Sequence, residues 1–173
     1  MNEKKAIALL KKYATSKEKF KKILSHSRKV QEIALRIAKK IHGIDLEFIK
    51  IGSLLHDIGR FDCWNDPLHH GIRGAEILRK EGLERYALLA ERHLGAGITK
   101  EEIKHRGLDL PLRDFVPVTP EEKIITYADN LVQHDKEITF KESIERFKKE
   151  LGTNAIKKFY KLKREVDALH DKG

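Results

Sequence analysis

Apolar and polar positions alternate with a helical period along nearly the whole chain, and strand-type alternation is scarce. Ile23, Val30, Ile33 and Ile37 fall on one helical face, and Tyr86, Leu89 and Ala90 on another. Thr15-Ser-Lys-Glu18, Thr99-Lys-Glu-Glu102 and Thr139-Phe-Lys-Glu142 have the spacing of a capping box. In that motif the threonine oxygen accepts from an orphan amide and the glutamate reaches back. Thr119-Pro120 places proline at a first helical position, where its missing N–H is harmless. Gly43, Gly82, Gly107 and Gly152 stand where helices should stop, since glycine takes the left-handed cap without steric cost. Together these signals predict helices over 3–13, 16–41, 45–58, 70–81, 84–94, 99–105, 119–133, 139–151 and 154–170. Residues 59–69 and 107–118 are the main loops. The expectation is an all-α bundle in a single domain, 1–173.

Composition agrees, because lysine, glutamate, leucine and isoleucine dominate. The lone Cys63 excludes an internal disulfide. No apolar run is long enough to span a bilayer, and Ala6 to Leu10 is too short and too hemmed by lysines for a signal peptide. A cytoplasmic protein with no membrane partner is expected. Glutamine occurs only at 31 and 133 among abundant charges, which leans toward a thermophilic source.

The formal net charge of +9 is confined to the ends. Residues 1–22 carry eight lysines against two acids, residues 141–173 ten bases against six acids, and the middle 18 bases against 19 acids. Solvated helix faces are the favoured explanation. A basic rim attracting anionic substrates or RNA is the functional one, and nucleic acid is not favoured because no aromatic residues interleave with the lysines.

The candidate chemistry lies in the near-neutral middle. His56 and Asp57 close an apolar run, and burying a carboxylate beside Leu54, Leu55 and Ile58 is costly unless a cation or several donors meet it. Adjacent helix positions diverge by about a quarter turn, so both can face one ion only from the wall of a shared cavity. Asp129 lies on the apolar side of its helix, four after Ile125 and three before Val132, with few bases nearby. His26 shares the Ile23 face, His93 falls with Tyr86, Leu89 and Ala90, and His70 precedes Gly74 by one turn. Gly74 would let a backbone or ligand come close, and spacing alone leaves His69 open beside His70. His42, His105, His134 and His170 are expected at the surface.

The order His26, His56-Asp57-Ile58-Gly59, His70, His93, Asp129 resembles the HD superfamily of metal-dependent phosphohydrolases. The likeness runs from about Ile23 to Val132 and includes His70-Gly-Ile-Arg-Gly-Ala-Glu-Ile-Leu78 and Tyr127-Ala-Asp-Asn-Leu131. It implies an HD helical core at about 22–135, with flanking basic helices at 1–21 and 136–173. It also implies that His26, His56, Asp57 and Asp129 hold a divalent ion. In two-metal branches the residues matching His70 and His93 hold a second ion, Asp57 bridges the two, and the Gly74 fragment selects His70 over His69. The adjacent histidine pair and the Gly-Tyr-Pro of cyclic-di-GMP phosphodiesterases are missing: Arg92 precedes His93 and Leu94 follows. Arg60 replaces the glutamate that marks some deoxynucleotide monophosphatases. A base there is closer to HD-type hydrolases of diadenosine tetraphosphate and to small HDIG proteins.

The expected activity is hydrolysis of a nucleotide or other small phosphate ester, with one or two divalent ions activating water. Mixed nitrogen and carboxylate donors favour manganese, iron, cobalt or nickel over magnesium. Asp57 and Arg60 are the expected catalytic residues, and Arg60 and Arg92 the expected substrate contacts through their planar forks. Arg73 is left open, and Trp64 is either a base-stacking residue or a half-buried loop aromatic. Two alternatives remain: an HD-type di-iron oxygenase, and a non-catalytic RNA- or partner-binding helical module using lysines 17–22 and 157–163.

Overall fold

A computed structural model describes residues 1–170. Its helices are α1 (Glu3–Tyr13), α2 (Lys17–Ala38), α3 (Leu46–Leu55), α4 (His70–Lys80), α5 (Glu84–Arg92), α6 (Lys100–Arg106), α7 (Pro120–Asn130), α8 (Phe140–Glu150) and α9 (Thr153–Asp167). A 3-10 turn at Ile58–Phe61 follows α3, and a two-stranded antiparallel hairpin, β1 (Val132–Gln133) and β2 (Lys136–Glu137), follows α7. The fold is all-α apart from that hairpin, as the periodicity predicts.

The capping boxes at Thr99, Thr119 and Thr139 form with both bonds in place. The one expected at Thr15 does not: Ser16 is the cap, its hydroxyl accepting from the Lys19 amide. Gly107 closes α6 in the left-handed conformation at φ 60°. Two helix ends differ from expectation. Helix α3 stops at Leu55, three residues early. Helix α7 stops at Asn130 because side chains claim its terminal carbonyls. Ser143 Oγ and Arg146 donate to the Asn130 carbonyl, and Arg146 also donates to that of Val132. With those acceptors taken, the chain turns into the hairpin that the apolar pattern does not foretell.

Two hydrophobic clusters hold the bundle, and α2, α3 and α5 contribute to both. One gathers Val30, Ile33, Phe48, Leu89 and Ile125 with Phe147 and Phe159. The other joins Leu10 of α1 to Ile51, Leu54, Leu55 and Ile58. Each such side chain contributes about 1.5–3 kcal/mol when fully buried. The terminal helices are therefore part of the core, and their lysines cover the outward faces. No described helix is long and apolar enough to cross a membrane.

Helices α6 and α9 are tied by Glu102, whose carboxylate accepts from Lys158 Nζ at 2.7 Å and from Asn154 Nδ2 at 2.9 Å while it caps α6. Burial raises the pKa of this carboxyl, but Lys158 and the Thr99 amide outweigh it and leave it below the ordinary 4.5. Its stabilising effect is complete above pH 4.5 and is lost as pH falls through the lowered value. Glu102→Gln retains the cap and removes the charge, so it should cost about 1–3 kcal/mol at pH 7. It should cost less below pH 4, as denaturant unfolding at the two pH values would show.

Candidate metal centre

Five segments deliver the six predicted side chains to one place. His26 projects from α2 between Ile23 and Val30, which anchor the two hydrophobic clusters. The early end of α3 solves the divergence of neighbouring helix positions. His56 is still helical, whereas Asp57, at φ −100° and ψ 12°, has left the helix, and the break swings its carboxylate inward. His70 opens α4, His93 follows the last residue of α5, and Asp129 comes from the last turn of α7.

Glycines bring these segments close enough. A methyl group on Gly59 would lie 2.0 Å from the His70 carbonyl oxygen and 2.3 Å from the Gly74 amide nitrogen. One on Gly71 would lie 2.7 Å from the Ala90 carbonyl oxygen. The 3-10 turn, α4 and α5 thus meet backbone to backbone, and Gly74 admits a neighbouring chain.

Asp57 lies at the middle of the group. Its Oδ2 is 3.7 Å from His26 Nε2 and 3.9 Å from His56 Nε2. Its Oδ1 is 3.2 Å from His70 Nε2 and 3.4 Å from His93 Nε2. Asp129 Oδ1 completes the first side, 2.9 Å from His26 Nε2 and 3.5 Å from His56 Nε2. Two donor sets therefore share one carboxylate. His56, Asp57, His70 and His93 are at most 3% exposed, while the side chains of His26 and Asp129 keep 18% and 19% exposure toward a cavity.

Three of the imidazoles are aimed by backbone carbonyls. Nδ1 of His56 donates to Ser53 at 2.7 Å, that of His93 to Ala90 at 2.7 Å, and that of His26 to His134 at 2.8 Å. A carbonyl only accepts, so each Nδ1 bears a proton, and the Nε2 of His56 and His93 is left to offer its lone pair inward, as second-shell partners of metal ligands leave it. The Nε2 of His26 donates to Asp129 Oδ1 at 2.9 Å and would give up that proton to a cation. Yet His56 Nε2 and Asp57 Oδ1 are buried without a hydrogen-bond partner among the described residues. Orphaned acceptors at the centre of a converging nitrogen and oxygen donor set fit a divalent cation.

The electrostatics show the same need for positive charge. Burial pushes the Asp57 carboxyl up, but Arg60, His56 and the other imidazoles hold it well below the carboxylate range. For Asp129 burial is likewise outweighed, by His26 and His56. Burial disfavours a charged His26, yet Asp129 and Asp57 raise its pKa to about 9. Burial, aided by the neighbouring His56 and His70, lowers His93 against the pull of Asp57 and favours the neutral imidazole.

Around this centre Arg60 and Trp64 line the cavity, and Arg60 Nε donates to Asp57 Oδ2 at 2.6 Å. Arg92, expected at the substrate, is turned elsewhere: it pairs with buried Glu122 at 3.0 Å and does not line the cavity. Arg73 pairs with Asp62 and Glu76. His69 is held outside by Asp66 and the Asp109 carbonyl, which leaves His70 in the cluster. His42, His105, His134 and His170 are exposed. The sequence reading missed the His134 carbonyl, since nothing marks a residue that holds φ 60° and acts through its backbone.

The sequence profile described as "HD domain" matches residues 23–133. An uncharacterized protein of Methanocaldococcus jannaschii is 42% identical over 98% of this chain and 99% of its own length. A tRNA (cytidine(56)-2'-O)-methyltransferase of Picrophilus torridus is 40% identical over 85% of this chain, which spans only 42% of that protein. A ribonuclease Y of Thermosipho melanesiensis is 36% identical over 63% of this chain and 18% of its own length. No solved structure matches.

Two substitutions test how the centre is held. Gly59→Ala forces the 3-10 turn off α4 and should cost about 1–3 kcal/mol or more, with loss of bound metal; thermal melts and metal analysis read both. His134→Gly should leave manganese affinity in calorimetric titration unchanged, because only the carbonyl faces His26. A marked loss would assign the role to the exposed imidazole instead.

Proposed function

The chain belongs to the HD domain family, and from that premise we propose that it is a metal-dependent phosphohydrolase acting on a nucleotide or other small phosphate ester. The observation that carries this reading is the division of the Asp57 carboxylate between two sets of inward-facing imidazoles. His26, His56, Asp57 and Asp129 would hold one divalent ion, and His70 and His93 with the other oxygen of Asp57 a second. Bound there, such ions supply hydroxide near neutral pH and Lewis acidity toward a phosphoryl oxygen. The nitrogen-rich donor set suits manganese, iron, cobalt or nickel better than magnesium.

Hydrolysis breaks one P–O ester bond, with water giving its hydroxyl to phosphorus and a proton to the departing oxygen. Arg60 serves two ends. Its Nε fixes the Asp57 carboxylate, and its terminal nitrogens, which hydrogen-bond to none of the described residues, are left to clamp a phosphate oxygen. The buried imidazoles exclude bulk water from the Asp57 side, which strengthens every charge interaction within.

The relatives' names fit a phosphate-ester reading in part. The ribonuclease acts on phosphodiesters, and the likeness runs over 109 residues of this chain. The methyltransferase is matched over less than half its length, so its named activity is read as belonging to the whole of that protein and this chain as the counterpart of one portion.

The decisive experiment is purification without chelator, metal quantification, and a screen of nucleotides, dinucleoside polyphosphates and simple phosphodiesters with each metal restored. Asp57→Ala should lose bound metal and turnover together, by about a thousandfold or more if the centre works as a unit, while far-ultraviolet circular dichroism stays helical. Full turnover in that variant would overturn the assignment. Chelation of the wild type should abolish activity, and manganese should restore it.

A further inference from the structure

The cavity above the six side chains measures about 1080 Å3, above the roughly 300–1,000 Å3 of common small-molecule pockets. Part of its wall pairs Trp64, from the loop after the 3-10 turn, with α2. The indole is half-buried, and Lys19 Nζ and Lys22 Nζ stand 5.2 and 5.9 Å from its ring centre. Lys22 lies one helical turn before His26, so it shares the face that carries this residue of the cluster. It is 61% exposed, and its pair with Glu18 is a surface one of small worth, so the ammonium is available to an incoming anion. Elsewhere in the same cavity α6 and α9 contribute Arg106 and Lys158. Lys158 is committed to Glu102 and the Gly97 carbonyl, whereas Arg106 makes no ion pair with any described residue.

We infer that Trp64 and Lys22 form a nucleotide subsite beside the centre, and that the substrate is a phosphodiester with a nucleotide on each side of the phosphate. This deepens the phosphohydrolase reading and rests on it for the reaction alone. A base stacks on the indole in place of the Lys19 and Lys22 ammoniums that lie over the ring, and the indole accepts any base because all present a π-face. Lys22 meets that nucleotide's phosphate, one helical turn from His26. Arg106 serves the nucleotide on the far side of the bond, which uses the cavity volume that a mononucleotide leaves empty. The basic surplus at the N-terminal end of the chain thereby reaches the cavity from α2.

Trp64 is the sole tryptophan, so its emission reports the subsite without any turnover. The wild-type protein is titrated with a diadenylate dinucleotide and with adenosine monophosphate, with and without manganese. Saturable quenching is expected from both, with the dinucleotide tighter by roughly tenfold or more. Lys22→Ala and Arg106→Ala should weaken the dinucleotide. Trp64→Ala should raise its KM by roughly tenfold with kcat little changed, and Trp64→Phe should restore it. Absence of quenching, equal affinity for the two probes, or no difference between Trp64→Ala and Trp64→Phe would overturn the inference. Quenching without hydrolysis by the metal-loaded protein would sink the phosphohydrolase reading and leave the subsite standing; hydrolysis without quenching would do the reverse.

Discussion

A carboxylate with almost no access to water must be met by positive charge, and Asp57 is such a carboxylate at the centre of the bundle. The desolvation penalty for a buried ion is several kcal/mol even after relaxation. Arg60 answers one oxygen directly, and four imidazoles crowd the two oxygens from two helices and two helix C-termini. The break of α3 after Leu55, the glycine contacts under α4 and the backbone carbonyls behind the imidazoles all serve the placement of this one group.

Orientation and chemistry are coupled through those carbonyls. Without a partner at Nδ1, an imidazole is free to present either nitrogen and to rotate. Ser53, Ala90 and His134 remove that freedom at His56, His93 and His26. Helix α8 acts at one remove: Ser143 and Arg146 hold the end of α7, which in turn fixes Asp129 and the hairpin. Helix α8 thus reaches the centre through backbone acceptors, although none of the six residues comes from it.

His56, Asp57 and Asp129 were legible because each is a polar group in an apolar stretch. His26, His70 and His93 were weak signals singly and came together through the family resemblance, which also chose His70 over His69. Helix starts were legible for a local reason, since a threonine and a glutamate three apart need only each other's backbone. What escaped was non-local. Arg92 looked available because its partner, Glu122, lies thirty residues on. Glu91 is almost wholly buried yet neutralised by Arg79 and Arg113, a pairing that spacing does not reveal. The shift from Thr15 to Ser16 as a cap is a one-residue choice between equivalent hydroxyls. The hairpin depends on donors from α8, so no pattern within 119–137 contains it.

The hairpin also bears on when the centre comes into being. The ring of His26 rests on Asp129 and on the carbonyl of His134, both more than a hundred residues away along the chain. Closing so long a loop is entropically slow and gains nothing until the distant segments dock. A partly folded chain, or one still emerging during synthesis, therefore holds only scattered imidazoles. A donor set that fits a divalent ion is then a property of the finished bundle, acquired in the last steps of assembly.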